Sequence, residues 1–178
     1  NKKQFKENEE KYPGLYPHLD DSNFNLKISK KKEFYETKNN LVIDSDIEKQ
    51  ADELCNKDFE IAPHQNFIKN FLSANTPYNS LLLYHGLGTG KTCSAIGVAE
   101  ETRAYLKYAN NHKRIIIVAS PNVQENFRLQ LFDDRKLKFK NNIWVLDNCI
   151  GNAIINEIGN NVNKMSREKI GKIINNII

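Results

Sequence analysis

Tyr84-His85-Gly86-Leu87-Gly88-Thr89-Gly90-Lys91-Thr92 is the stretch that decides how this chain is read. A short apolar run, residues 80–84 (Ser-Leu-Leu-Leu-Tyr), leads into it and is expected to be a buried strand. Residues 91–108 follow it, with Ala95, Ile96, Val98, Ala99 and Ala104 spaced for the apolar side of a helix. Strand, glycine-rich loop and helix in that order make a phosphate-binding loop. Glycines let successive backbone N–H groups turn toward one anion. The helix N-terminus adds partial positive charge at the same place. The loop from Gly86 through Leu87, Gly88, Thr89 and Gly90 to Lys91, Thr92 and Cys93 is therefore expected to hold the phosphates of ATP. Lys91 would reach the β- and γ-phosphates, and Thr92 would offer its hydroxyl to Mg²⁺; these two are the candidate catalytic residues. The common pattern GxxxxGK[ST] wants glycine first, and here that position is His85. His85 is read as a structural side chain at the strand end, with a γ-phosphate contact as the alternative.

Downstream, residues 114–119 (Arg-Ile-Ile-Ile-Val-Ala) form a second continuous apolar run, the signature of a parallel strand covered on both faces. Pro121 interrupts it, a helix is expected to Leu131, and residues 143–146 read as a third strand. One or two helices follow, with Ile155, Ile158, Ile170, Ile173 and Ile174 as buried positions. Strands alternating with helices imply an α/β fold with a parallel sheet. Ser120-Pro121-Asn122 then sits at the C-terminal end of a strand, where ligands of such sheets bind. Two readings stay open there: a contact to nucleic-acid phosphate, or a plain turn capped by Asn122.

Upstream, three stretches differ in character. Residues 1–44 are polar and broken by Pro13, Gly14 and Pro17, and are expected to form an extended arm with a short helix near Lys30 to Tyr35. The tandem Tyr12-Pro13-Gly14-Leu15 and Tyr16-Pro17-His18-Leu19 reads either as a linear motif for a partner or as aromatics packed on the chain's own surface. Residues 45–79 hold two expected helices. The first is capped by Asp44 or Ser45, with Ile47, Ala51 and Leu54 on one face; the second follows Pro63, with Phe67, Ile68, Phe71 and Leu72 buried. Residues 80–178 are the candidate ATPase domain.

Composition sets outer bounds. The 178 residues are 39% hydrophobic and 27% charged, which places the chain among globular rather than disordered proteins. A net charge of +4 is compatible with nucleic acid and equally with a solvated basic surface. Cys55, Cys93 and Cys149 form no CxxC pair and no zinc spacing, so they are expected to be reduced thiols of an intracellular protein. No apolar run approaches the ~18 residues that span a bilayer, so no membrane partner is expected. The first residue is Asn1, not Met, and the chain is read as a fragment.

Pro63-His64-Gln65, the loop at residues 85–92 and the run 115–122 together resemble the first half of a superfamily 2 helicase motor. More closely, they resemble the helicase-like ATPases of large nucleocytoplasmic DNA viruses, including their early-transcription ATPases. His85 is similar to what that viral group carries there. The resemblance covers roughly residues 60–150. It implies a RecA-like sheet with flanking helices, an incomplete motor domain in this chain, preceded by the arm. It implies ATP with Mg²⁺ as cofactors, and Gln65 as the residue that reads the adenine edge, since an amide both donates and accepts. It implies DNA or RNA gripped by the backbone near Ser120, Pro121 and Asn122, viral RNA polymerase or other transcription proteins as partners, and the virion and infected-cell cytoplasm as locations. A helicase motor also needs an acidic box to hold Mg²⁺ and activate water. Asp133-Asp134 and Asp147 do not make one, so this chain is expected to bind nucleotide weakly and hydrolyse it poorly or not at all.

Two rivals stand beside this reading. One is a different P-loop enzyme, an AAA-type remodeller or a nucleotide kinase. The other is a non-catalytic assembly module whose arm docks a partner.

Overall fold

The computed structural model describes residues 14–39, 45–56, 60–159 and 161–177. The helices are α1 (Phe24–Ser29), α2 (Lys32–Tyr35), α3 (Ile47–Cys55), α4 (Pro63–Phe71), α5 (Lys91–Tyr108), α6 (Pro121–Leu131), α7 (Ala153–Asn156) and α8 (Arg167–Ile177). The strands are β1 (Leu137–Lys140) and β2 (Ile143–Leu146). Contacts divide the chain into two compact units, residues 1–45 with 61–115 and residues 46–60 with 116–178.

The first unit is built around aromatic rings. Ile28 of α1, Phe34 of α2, Phe71 of α4 and Tyr78 form its core, with Tyr16, Phe24, Phe67 and Leu72 packed against it. Phe71 and Tyr78 stack with centroids 4.4 Å apart, and Phe24 meets Tyr78 edge-on at 5.6 Å. Offset stacking and edge contacts suit the ring quadrupole and add about 0.5–1.5 kcal/mol per pair beyond burial. Polar groups close the cluster: Tyr78 donates to the Pro17 carbonyl at 2.7 Å, and Tyr16 to Glu33 at 2.6 Å. So the arm, expected to be extended or loosely packed, is folded onto α4 between Tyr16 and Phe34. Of the tandem motif, Tyr16-Pro17 is absorbed in this packing, while Tyr12-Pro13 lies outside the described residues. The helix expected near Lys30 to Tyr35 is α2.

α4 starts where Pro63 supplies a preset φ at its first position, and α5 runs for 18 residues from Lys91. Lys69 of α4 reaches Glu101 of α5 at 3.3 Å. Asn110, at φ 49, ends α5 in the left-handed conformation that Asn tolerates.

The second unit has an aliphatic core. Phe132, Leu137, Leu146, Ile154, Ile155, Val162, Ile170 and Ile174 pack together, with Trp144 and Met165 against them. Ile155, Ile170 and Ile174 are buried as the spacing implied, and Ile158 is half-buried. α3 departs from expectation: Asp46 is its cap, accepting the Lys49 N–H at 3.0 Å, and Ile47 and Ala51 are exposed. Asp46 wins over its neighbours because its side chain reaches the third helical N–H.

The sheet also differs from expectation. β2 forms where a strand was expected, but it pairs antiparallel with β1, Leu137 opposite Leu146 and Phe139 opposite Trp144. This is the one sheet among the described residues. Residues 80–84 and 114–119 belong to no strand, and their apolar side chains stand exposed: Leu82 is 86%, Ile116 82% and Val118 91% accessible. A strand exists only through ladder bonds to a neighbour, so an apolar run without one stays irregular however strong its propensity. β1 and β2 need no distant neighbour, because two residues suffice to turn one onto the other.

Candidate functional site

The loop before α5 has the geometry that the glycines imply. Gly88 and Gly90 take φ of +77° and +79°, the region barred to ordinary residues, and Gly90 is the N-cap of α5. Thr89 Oγ1 donates to the Gly86 carbonyl at 2.9 Å, closing the turn. Lys91 Nζ donates to the carbonyls of His85 at 3.0 Å and Gly86 at 2.7 Å. Its ammonium is thus held against the start of the loop, beside the first N–H groups of an 18-residue helix. Charge, helix end and turning backbone converge on one spot, which is the condition for binding an anion. Leu87 is fully exposed at the loop tip.

α4 braces this loop from outside. Gln65 is buried; its Oε1 accepts the Ala62 N–H at 2.9 Å and its Nε2 donates to the Gly90 carbonyl at 3.1 Å. An amide has two N–H groups and two lone pairs, so one of each remains after these bonds. A side chain at Gly90 would collide with Gln65 Nε2, so this contact and the left-handed backbone both demand glycine. His64 Nε2 lies 2.9 Å from the Thr89 carbonyl, and its ring meets that of His85 edge-on with centroids 5.4 Å apart. His85 Nδ1 is buried without a partner. Sequence spacing pointed to Gln65 and missed the bracing by His64, whose only signal was its place beside Gln65.

For Mg²⁺ the fit is that of a P-loop rather than a protein cage. Thr92 offers one hard oxygen, and no cluster of three His, Cys, Asp or Glu able to hold a metal occurs among the described residues. Mg²⁺ keeps waters and substrate phosphates in such sites, so a single hydroxyl from the loop suits it. Cys55 is free and exposed.

Ser120-Pro121-Asn122 lies in the second unit and opens α6. Ser120 is the N-cap, with ψ 155° and its carbonyl accepting from Val123 and Gln124 at 2.9 Å. Asn122 is not the cap. All three residues are exposed, and the Ser120 side chain makes no capping bond. Asp133, weighed as part of an acidic box, is instead occupied: Arg135 binds its two carboxylate oxygens at 2.8 and 2.9 Å, which holds its pKa below the ordinary carboxylate value.

No family model matches the chain. No solved structure matches it either. Curated proteins do. A "Putative ATP-dependent RNA helicase" of Acanthamoeba polyphaga mimivirus is 32% identical over 117 residues, covering 63% of this chain and 10% of that protein. A "Putative helicase" of Frog virus 3 is 52% identical over 40 residues, 22% of this chain and 4% of its own length. An "Early transcription factor large subunit homolog" of African swine fever virus is 36% identical over 63 residues, 35% of this chain and 6% of its own length. The chain therefore spans about a tenth or less of the length of these relatives. These matches bear out the resemblance to viral helicases: the chain is helicase-like, similar to proteins of these viruses.

Proposed function

We propose that this chain binds ATP, with Mg²⁺, as part of a viral nucleic-acid-dependent ATPase of superfamily 2. The observation that carries the proposal is the loop at residues 86–92, where the Lys91 ammonium, left-handed glycines and the start of α5 converge. Phosphates would meet the loop N–H groups and Lys91, and Mg²⁺ would take the Thr92 hydroxyl. The N–H and lone pair that Gln65 keeps after bracing the loop would read adenine. Residues 80–84 and 114–119, apolar and exposed here, would be parallel strands of a RecA-like sheet once neighbours pair with them. DNA or RNA would pass Ser120 to Asn122, and transcription proteins of the virus would direct the motor. The relative named as an early transcription factor supports the last point.

Lys91→Ala tests the reading. ATP affinity is expected to fall at least tenfold with the melting temperature unchanged, because a charged hydrogen bond to phosphate is worth ~1.5–3 kcal/mol. Equal ATP affinity of the variant and the natural chain would remove the site.

A further inference from the structure

We propose that His64 is a positioning residue of the phosphate site: with Gln65 it clamps two successive carbonyls of the loop, and so aims the N–H groups of Gly90 and Lys91 at the phosphates. The proposal rests on the reading of residues 86–92 as a phosphate loop, and it gives a role in nucleotide affinity to a side chain outside that loop.

Local chemistry comes first. His64 Nε2 lies 2.9 Å from the Thr89 carbonyl, and Gln65 Nε2 donates to the Gly90 carbonyl at 3.1 Å. A carbonyl only accepts, so His64 Nε2 carries the proton in this contact. Neighbouring side chains at the start of α4 thus hold neighbouring peptides of the loop. In a trans peptide the C=O and the following N–H point in opposite directions. Turning the Thr89 and Gly90 carbonyls toward α4 therefore turns the N–H groups of Gly90 and Lys91 away from it. Neither N–H has an acceptor among the described residues. Both are left for an anion.

Packing shows what His64 adds. The Gly90 carbonyl is held twice, because the Ser94 N–H of α5 also donates to it at 3.0 Å. Thr89 precedes the N-cap, so its carbonyl lies outside the helix ladder, and His64 supplies the partner that α5 does not. Gly90 stands between the two clamped peptides, at φ +79°. Glycine has the widest backbone freedom of any residue, and a contact on each side removes that freedom before phosphate arrives. The His64 ring is steadied in turn. His85, half-buried, meets it edge-on with centroids 5.4 Å apart, and Pro63 fixes φ at the residue before it. His64 is exposed and lies outside the aromatic core of this unit, so its loss should act on the loop rather than on the fold. A contact to the base is the rival role, since Gln65 is next to it; the engagement of Nε2–H by Thr89 favours the loop.

The experiment compares the 178-residue chain with His64→Leu and His64→Gln. Leucine loses the donor, while glutamine places an amide N–H near the position of Nε2. Affinities for Mg²⁺-ATP and for tripolyphosphate are measured by competition against a fluorescent ATP analogue, beside the melting temperature and the amide proton shift of Gly90. His64→Leu should weaken both ligands about fivefold at an unchanged melting temperature, the size of one ordinary hydrogen bond. His64→Gln should restore both. Tripolyphosphate should move the Gly90 amide proton downfield in the natural chain and less in His64→Leu. ATP weakened while tripolyphosphate is unaffected or unbound would place His64 at the base and overturn the proposal. A lowered melting temperature, or a glutamine that restores nothing, would make His64 a structural residue only and overturn it too. Equal affinities in all three chains, with Lys91→Ala still defective, would overturn the clamp and leave the phosphate loop standing. A natural chain that binds neither ligand would remove the loop reading itself.

Discussion

At Gly90 the backbone turns through φ +79° while its carbonyl accepts from Gln65. One residue thus satisfies a steric demand and a hydrogen bond, and Gln65 joins it to the start of α4. Gln65→Glu separates the two halves of that joint. The carboxylate still accepts the Ala62 N–H, but it presents an oxygen where the Gly90 carbonyl needs a donor. Facing acceptors at a buried position cost on the order of 1–3 kcal/mol. Thermal melting should show that loss, and ATP affinity should fall with it because the loop is no longer braced. Unchanged melting and affinity in Gln65→Glu would mean that the bracing contact contributes nothing. The place of Gln65 was legible from Pro63 and from its distance to Lys91. Its bond to Gly90 was not, because a carbonyl 25 residues away is reached only through the packing of α4 on α5.

Among the elements, the hairpin shows how local signals compete. β1 reads Leu-Lys-Phe-Lys, a strict alternation, and Asn141-Asn142 is a turn pair with an appetite for positive φ. Both signals are in the sequence, yet expectation of a parallel sheet assigned β2 a different kind of neighbour. The turn can be tested directly. Asn142→Gly relieves the cost of its φ of 63° and should stabilise the second unit by about 0.5–1 kcal/mol. Asn142→Val forces a branched side chain into the same region and should destabilise it by at least ~1 kcal/mol. Denaturant midpoints of the two variants should fall on opposite sides of the natural chain; a shift in the same direction for both would contradict the turn assignment. α5 was the most legible element, its 91–108 bounds matching the sequence expectation, because helix bonds are local and Gly90 and Asn110 mark both ends.

On the scale of the first unit, Tyr78 ties the arm to α4: its hydroxyl reaches Pro17, 61 residues away, and its ring stacks on Phe71. Burial pushes its pKa up from 10.0 to about 12. The folded state therefore favours the neutral phenol. This stabilisation is complete below pH 10 and is lost as pH rises through about 12. Tyrosinate absorbance should show one tyrosine that ionises late in the folded chain and normally in denaturant. Tyr78→Phe should remove that late step and lower stability by about 1 kcal/mol through the lost bond to Pro17.

What the sequence determined by itself is the glycine turn before Lys91, the helix it opens and the helix after Pro63, since glycine freedom, capping and 3.6-residue spacing act within a few positions. What only the tertiary structure decided is which groups meet: Gln65 with Gly90, Tyr16 and Tyr78 with the folded arm, Phe139 with Trp144, and β2 with β1 rather than with a parallel neighbour. The Gln65–Gly90 and Tyr78–Pro17 meetings depend on parts of the chain 25 and 61 residues apart closing onto one another, while the hairpin needs only its own turn but had to outcompete a parallel neighbour. An apolar run such as 114–119 carries no record of what would pair with it, and among the described residues it stands exposed.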